Sequence, residues 1–391
     1  MTWKDRPLLQ RVIPLIRALR ERCTRALRYL SRSNVNTPAG LPEEPDVSDE
    51  PDVPEEPDYA ARIAAETSIF AQQIQVHDLP DIFHYWSNKW LRPQLETFGF
   101  SNPDQFFANY LQAAHAEAEK AGRAARFASL GCGNCDTEAR VAALLVERGM
   151  RDFVIECVDI NTDMLARGRA LAVEANVADH IVTVLGDFND WRPQHTYDAV
   201  LANQSLHHVM NLEGLFATIE SALTEQGRFI TSDMIGRNGH MRWPEALAIV
   251  HEFWAQLPAN YRYNAQLMRH EELYENWDCS KESFEGIRAQ DILPLLVERF
   301  DFEFFMGYGN VIDTFVDRGF GPNFNAEADW DRAFIDRVHS RDEQEIDAGT
   351  LTPTHMLAVM RRRPFAGKLI NVRHLTPRFC LRRDHAVPDA S

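Results

Sequence analysis

The residues of this 391-residue chain that could do chemistry fall at four points near its middle. Gly131-Cys132-Gly133-Asn134-Cys135-Asp136 is a run of small residues that lets the backbone approach a ligand and open a helix. A dinucleotide fingerprint would want a third glycine at position 136, where Asp136 would instead set its charge beside a pyrophosphate. A phosphate-cradling loop would want Gly-Lys-Ser/Thr, which is absent. The turn therefore suits a ligand carrying a positive ammonium group. Asp159, with Ile160 after it, stands 26 residues beyond Gly133, where a carboxylate can accept both hydroxyls of a ribose. Gly186-Asp187-Phe188 offers an acceptor for an adenine amino group and an apolar neighbour for its ring. Asn203-Gln204-Ser205-Leu206-His207-His208 brings imidazoles, whose pKa suits proton transfer near neutrality. Each feature has a plainer alternative, since acids at strand ends often cap helices and glycine pairs often only turn the chain.

These points become a site only if strands deliver them to one edge. From residue 126 short apolar runs alternate with amphipathic helices, the pattern of a doubly wound, mostly parallel α/β sheet. Strands are expected at 126–130, 153–159, 181–187, 197–203 and 227–234, with helices over 137–149, 163–175 and about 212–223. In such sheets ligands bind at the carboxyl ends of the strands, where all four motifs fall.

Here the sequence resembles the class I S-adenosylmethionine-dependent methyltransferases. ASLGCGNCD looks like that family's glycine motif, VDIN its ribose-binding acid, GDF its adenine-contacting acid, and YDAVLANQSLHHV the segment from its fourth strand. LTEQGRFITSDM resembles the hairpin into the fifth strand, and 301–309 and 354–362 more loosely resemble the antiparallel end of the sheet. The resemblance implies a Rossmann-like fold with an antiparallel last strand and S-adenosylmethionine as cofactor. Gly131, Cys132 and Gly133 would admit its methionyl part, Asp159 and Ile160 its ribose, Asp187 and Phe188 its adenine, and Asn203 would line the fourth strand's edge. Cys135 departs from the pattern, which usually has a third glycine there.

The acceptor side is read from position. Methyl transfer from a sulfonium is an in-line displacement in which alignment supplies much of the acceleration. His207, His208, Asp233 and His240 are the candidate catalytic bases. The segment after the fifth strand brings Arg237, Asn238 and Trp243 as candidate substrate contacts, a polar and aromatic mixture suited to a small molecule or glycan. Its texture resembles methyltransferases found with bacterial glycosyltransferases in surface-polysaccharide assembly. The cysteines and acids supply no ligand set by spacing, so no metal is expected. Cys132 and Cys135 are read as filling a crowded turn.

Charge divides the rest of the chain. Residues 1–33 hold nine Lys/Arg against Asp5 and Glu21, interleaved with an apolar stripe from Leu9 to Leu30. This is a basic amphipathic helix suited either to an anionic membrane face or to packing on the protein's own body. Residues 34–58 form an acidic, proline-rich linker. A helical cap over 59–125 precedes the catalytic domain at 126–362, which carries a lid insertion at about 235–288 and another at about 311–349. Residues 363–391 read as a basic tail. The net charge of -17 makes the body repel nucleic acid. No apolar run is long enough for a membrane span, six cysteines are too sparse for a disulfide framework, and a cytoplasmic location is expected. A catalytically inactive scaffold with the same fold, acting through its basic ends, is the alternative reading. A nicotinamide-dependent dehydrogenase is disfavoured by Asp136.

Overall fold

The apolar runs form strands because each is short, rich in β-branched and aromatic residues, and bounded by turn residues. In the computed structural model, which describes Tyr59, Arg62, Ile63, 79–281 and 283–382, they are β1 (Ala125–Leu130), β2 (Phe153–Asp159), β3 (Ile181–Leu185), β4 (Tyr197–Asn203) and β5 (Leu223–Met234). β6 (Asp301–Tyr308), β7 (His355–Arg361) and β8 (Ile370–Asn371) complete one sheet in the order β8-β6-β7-β5-β4-β1-β2-β3. Only β7 runs against its neighbours β5 and β6. This is a Rossmann-like α/β sheet with an antiparallel strand near one end. The chain divides into two units, Met1–Glu55 and Glu56–Ser391, and every described residue belongs to the second. The expected basic helix at 1–33 and the linker at 34–58 lie outside the described residues.

The central strands are covered on both faces, which is why β4 is a continuous apolar run rather than an alternating one. Parallel register sets Leu130 beside Val158 and Ala202, and Asn203 beside Ser232. The carboxyl ends of β1, β2, β4 and β5 therefore share one edge, and Asp159, Asn203 and Asp233 stand on it. At the far side β3 is an edge strand that leaves Val182 and Leu185 exposed.

The expected helices form with small shifts of end, at Asp136–Glu147, Thr162–Glu174 and Leu212–Ala222, and the insertion at about 311–349 contains a helix at Asp329–Asp347. In the cap, Asn102 starts the helix Pro103–Lys120 by accepting the Gln105 N–H at 2.9 Å, with Pro103 in the first turn. Its Phe106 joins Phe98, Phe100 and Tyr110 around Phe304 of β6, which fastens cap to sheet. The lid insertion is mixed, with a helix at Pro244–Trp254 and a two-residue hairpin pairing Tyr263–Asn264 with Arg269–His270.

Residues 363–382, read from sequence as part of a basic tail, pack into the domain. β8 pairs with β6, Leu375 and Cys380 are buried, and Arg373 bridges Glu343 and Asp347 at 2.9 Å each. Arg363 pairs with Asp301 and Arg382 with Glu245, so acids of the domain meet three of the segment's basic side chains.

The Asp329–Asp347 helix also positions the turn after β6. Asp342, 1% exposed, accepts the N–H groups of Asn310, Val311 and Ile312 at 2.9, 3.0 and 3.3 Å. Burial, aided by the nearby Asp313 charge, pushes its carboxyl up to about 7. A carboxyl raised in the folded state contributes stability that is full below its unfolded value near 3.8 and is lost as pH rises through about 7. Asp342→Asn keeps an acceptor but has no such proton to lose. Its stability relative to wild type should therefore rise by on the order of 2 kcal/mol between about pH 4.5 and 7.5, as read from urea midpoints.

Candidate functional site

The turn after β1 is shaped by contact with the loop after β4. Gly131 has φ +68°, and a Cβ there would lie 2.6 Å from Ser205 Cβ and 3.3 Å from the Phe188 ring. Glycine is needed both for the conformation and for the approach. Ser205 Oγ donates to the Leu130 carbonyl at 2.8 Å and secures the contact from the other side. Asp159 ties this turn to the next: Oδ2 accepts the Gly133 N–H at 2.8 Å and Oδ1 the Asn161 N–H at 2.9 Å. Ile160 is half-buried beside it. Asp187 caps its own turn by accepting the Asn189 N–H at 2.8 Å, and it also accepts the Tyr59 hydroxyl. Phe188 is buried. Asn203 donates to Thr137 Oγ1 at 3.1 Å. Gly131, Phe188 and Ser205 meet directly, Gly133 and Asp159 are hydrogen-bonded, and Asn203 joins the helix that the glycine turn opens.

Cys135 occupies a left-handed position, φ 55°, which accounts for a preference for glycine there. Its side chain is accommodated because Gly168 lies opposite, where a Cβ would come within 2.6 Å of the Cys135 sulfur. The Cys132 and Cys135 sulfurs are 3.7 Å apart, and Cys157 of β2 brings a third thiol to the same turn. Burial pushes the Cys132 thiol up.

The candidate bases gather at the ends of β4 and β5. Asp233, 0% exposed, accepts the N–H groups of Ser205, Leu206 and Met234 at 2.9, 2.8 and 2.8 Å. Its Oδ1 also lies 2.6 Å from His207 Nδ1. Beyond His207 stands Glu285, in a segment without a motif that would single it out. Its carboxylate is 3.4 Å from His207 Nε2, 3.4 Å from His208 Nε2 and 2.6 Å from His240 Nε2. Burial works against the His207 imidazolium, but Asp233 and Glu285 outweigh it and raise the group to about 10. Burial also opposes ionisation of Glu285, yet the histidines hold it well below the ordinary carboxyl range. For His240 burial prevails and lowers the pKa.

Backbone bonds hold these pieces together. The Ile287 N–H donates to the His207 carbonyl at 3.1 Å and the Gly239 N–H to the Gly286 carbonyl at 2.9 Å. Arg62, 2% exposed, donates to the carbonyls of Ser280, at 2.7 Å, and Ser283. Tyr59 sets its ring edge-on to Phe284 at 5.5 Å while its hydroxyl reaches Asp187. The cap thus touches both Asp187 and the segment that carries Glu285.

The three expected acceptor contacts are engaged with other residues of the protein. Arg237 donates to the Arg242 carbonyl at 3.2 Å, Asn238 pairs with Gln290, and Trp243 stacks with the guanidinium groups of Arg237 and Arg382. Arg242 reaches Asp313 at 3.2 Å, and Asp313 also pairs with His355 at 3.1 Å. Burial opposes the Asp313 charge, but His355 and Arg242 bring its carboxyl down to about 2.

Residues 128–229 match a protein-family model described as a methyltransferase domain. This segment is a methyltransferase domain. It spans β1 to β5 and contains every motif residue of the shared strand edge except Asp233. No curated protein matches the chain. Among solved structures, the methyltransferase domain and its surroundings are similar to the geranyl diphosphate C-methyltransferase of Streptomyces coelicolor A3(2), solved with Mg2+, geranyl-S-thiolodiphosphate and S-adenosyl-L-homocysteine. That likeness has 15% identity and a TM-score of 0.36 and covers 66% of this chain and 76% of the other. The O-methyltransferase from a trans-AT PKS multienzyme of Brevibacillus brevis, solved with S-adenosyl-L-homocysteine, is 14% identical with a TM-score of 0.37, over 63% of this chain and 69% of the other.

Asp233→Ala should destabilise the methyltransferase domain by about 3–5 kcal/mol, because it leaves buried N–H groups and the His207 ring without their acceptor. Chemical denaturation followed by far-UV circular dichroism measures the change.

Proposed function

We propose that the chain transfers a methyl group from S-adenosylmethionine to oxygen or nitrogen of a small-molecule or glycan acceptor. The observation that carries this reading is Asp159: buried within the methyltransferase domain, it holds the turn of Gly131 and Gly133 through one oxygen and the start of the next helix through the other. A buried carboxylate at the end of the second strand is a charge-assisted acceptor of the kind that binds ribose hydroxyls. On this reading Gly131, Cys132 and Gly133 receive the methionyl part, Ile160 flanks the ribose, and Asp187 and Phe188 receive the adenine. Asn203 lines the path between donor and acceptor.

In the transfer, the acceptor atom forms a bond to the methyl carbon as the carbon–sulfur bond breaks, and the electron pair returns to sulfur. A hydroxyl acceptor must also lose a proton. Asp233 is a positioning residue in this scheme, since four donors already occupy it. Handling of the acceptor falls to His207, His208, His240 and Glu285, with Arg237, Asn238 and Trp243 on the lid side. Assembly of surface polysaccharide is a setting that fits a glycan acceptor.

Asp159→Ala removes a charge-assisted acceptor worth roughly 1.5–3 kcal/mol, so affinity for S-adenosylmethionine should fall about ten- to hundredfold. Calorimetry on the folded variant measures it, and absence of binding by the wild type would refute the donor assignment.

We also propose that the protein works in the cytoplasm with peripheral attachment to an anionic membrane through residues 1–33, on the strength of their charge and apolar spacing. Among the described residues no helix is long and apolar enough to cross a membrane. Each basic residue near such a surface contributes about 1 kcal/mol before screening. Sedimentation with phosphatidylserine vesicles should therefore show salt-sensitive binding by the full chain that a chain starting at Tyr59 lacks.

A further inference from the structure

We propose that His207, His208 and Glu285 bind one divalent transition-metal cation of the zinc class, with His240 at the rim of the site. This replaces the expectation of a metal-free centre, which rested on spacing alone. Two imidazole nitrogens and a carboxylate oxygen from these residues lie within 4.8 Å of one another. Tetrahedral zinc with bonds of about 2.0–2.1 Å requires ligand atoms about 3.3–3.4 Å apart. His207 Nε2 stands 3.4 Å from Glu285 Oε1 and His208 Nε2 3.4 Å from Oε2, so each ring is at ligand spacing from one oxygen and the carboxylate either binds through both oxygens or turns to offer one of them to both rings.

The surroundings also resemble those of a metal ligand set. His207 turns its other nitrogen, Nδ1, to Asp233 at 2.6 Å, and Asp233 is itself fixed by three backbone N–H groups. An outer carboxylate that fixes tautomer and ring direction in this way is the usual support of a metal-bound imidazole. The Ile287 N–H holds the His207 carbonyl, and Arg62 holds two carbonyls just before Glu285, so the ligands sit on braced backbone.

The donor set selects the ion. Two imidazoles and one carboxylate suit zinc, cobalt, nickel or iron, whereas magnesium and calcium prefer oxygen alone. Side-chain exposure rises from 5% at His207 to 12% at His208 and 37% at Glu285, which gives an entry path and leaves one coordination position facing outward. His240 Nε2, 2.6 Å from Glu285 Oε1, is hydrogen-bonded in this arrangement. It becomes a fourth ligand only if that separation opens to about 3.3 Å.

One use of the cation rests on the methyl-transfer reading, although the binding does not. An acceptor hydroxyl at the outward position is acidified and releases its proton to solvent. The oxygen then forms its bond to the methyl carbon while the carbon–sulfur bond breaks and the pair stays on sulfur.

The test uses the full chain, stripped with chelator and dialysed, then titrated with Zn2+ by calorimetry and with Co2+ by visible absorption. The expected result is one tight site per chain and the intense d–d bands of four- or five-coordinate cobalt. Glu285→Gln and His208→Ala, each checked for an unchanged thermal transition, should weaken binding at least about a hundredfold, more than loss of an outer partner costs. Cys157→Ser should leave it unchanged. No stoichiometric binding by wild type would overturn the site, as would binding unaffected by both ligand variants or abolished by Cys157→Ser. S-adenosylmethionine affinity is measured on the same stripped samples, so failure of the donor reading and failure of the cation site are separate results.

Discussion

A single buried carboxylate organises the working edge of this protein. Moving Asp233 out of water costs several kcal/mol unless donors replace its hydration, and here three backbone N–H groups and an imidazole do so. The bonds are possible only because β4 and β5 are adjacent and in register, which brings the loop leaving one strand over the end of the other. Pinned there, Ser205 presses on Gly131 and His207 faces Glu285. The glycine turn and the histidine cluster are thus two sides of one fixed loop.

Much of the sheet was legible in the sequence because each strand carries its own signal. β2 and β4 have the ends that composition and turn residues indicate, and the motif acids stand where those strands finish. β5 starts earlier than expected, at Leu223, because pairing with Tyr197 of β4 extends it across a turn-like sequence. Tertiary pairing overrode the local signal of Gly227. The glycine expected at position 135 proved informative in its absence: the backbone is still left-handed, and the compensation is Gly168, one helix away.

The centre around Glu285 was not legible, and the reason is physical. DCSKESFEGI has neither the periodicity of a helix nor the spacing of a ligand motif, and its value comes from being carried to His207, His208 and His240 by backbone bonds between distant loops. Tyr59 and Arg62 are similar cases. Their roles depend on the cap lying across the domain, which no local pattern encodes. For residues 363–382, composition reports basic charge but not the acids of the domain that meet it.

The contact between Trp243 and Arg382 has a consequence for how the protein is made. Arg382 also pairs with Glu245, 137 residues earlier in the chain, so one wall of the lid is finished by a segment translated long after it. A growing chain can pair β1 to β5 and settle the turn of Gly131 and Gly133 while the insertion after β5 still lacks its last partner. The insertion therefore gains this partner only once residue 382 has left the ribosome, when β1 to β5 have long been free to pair.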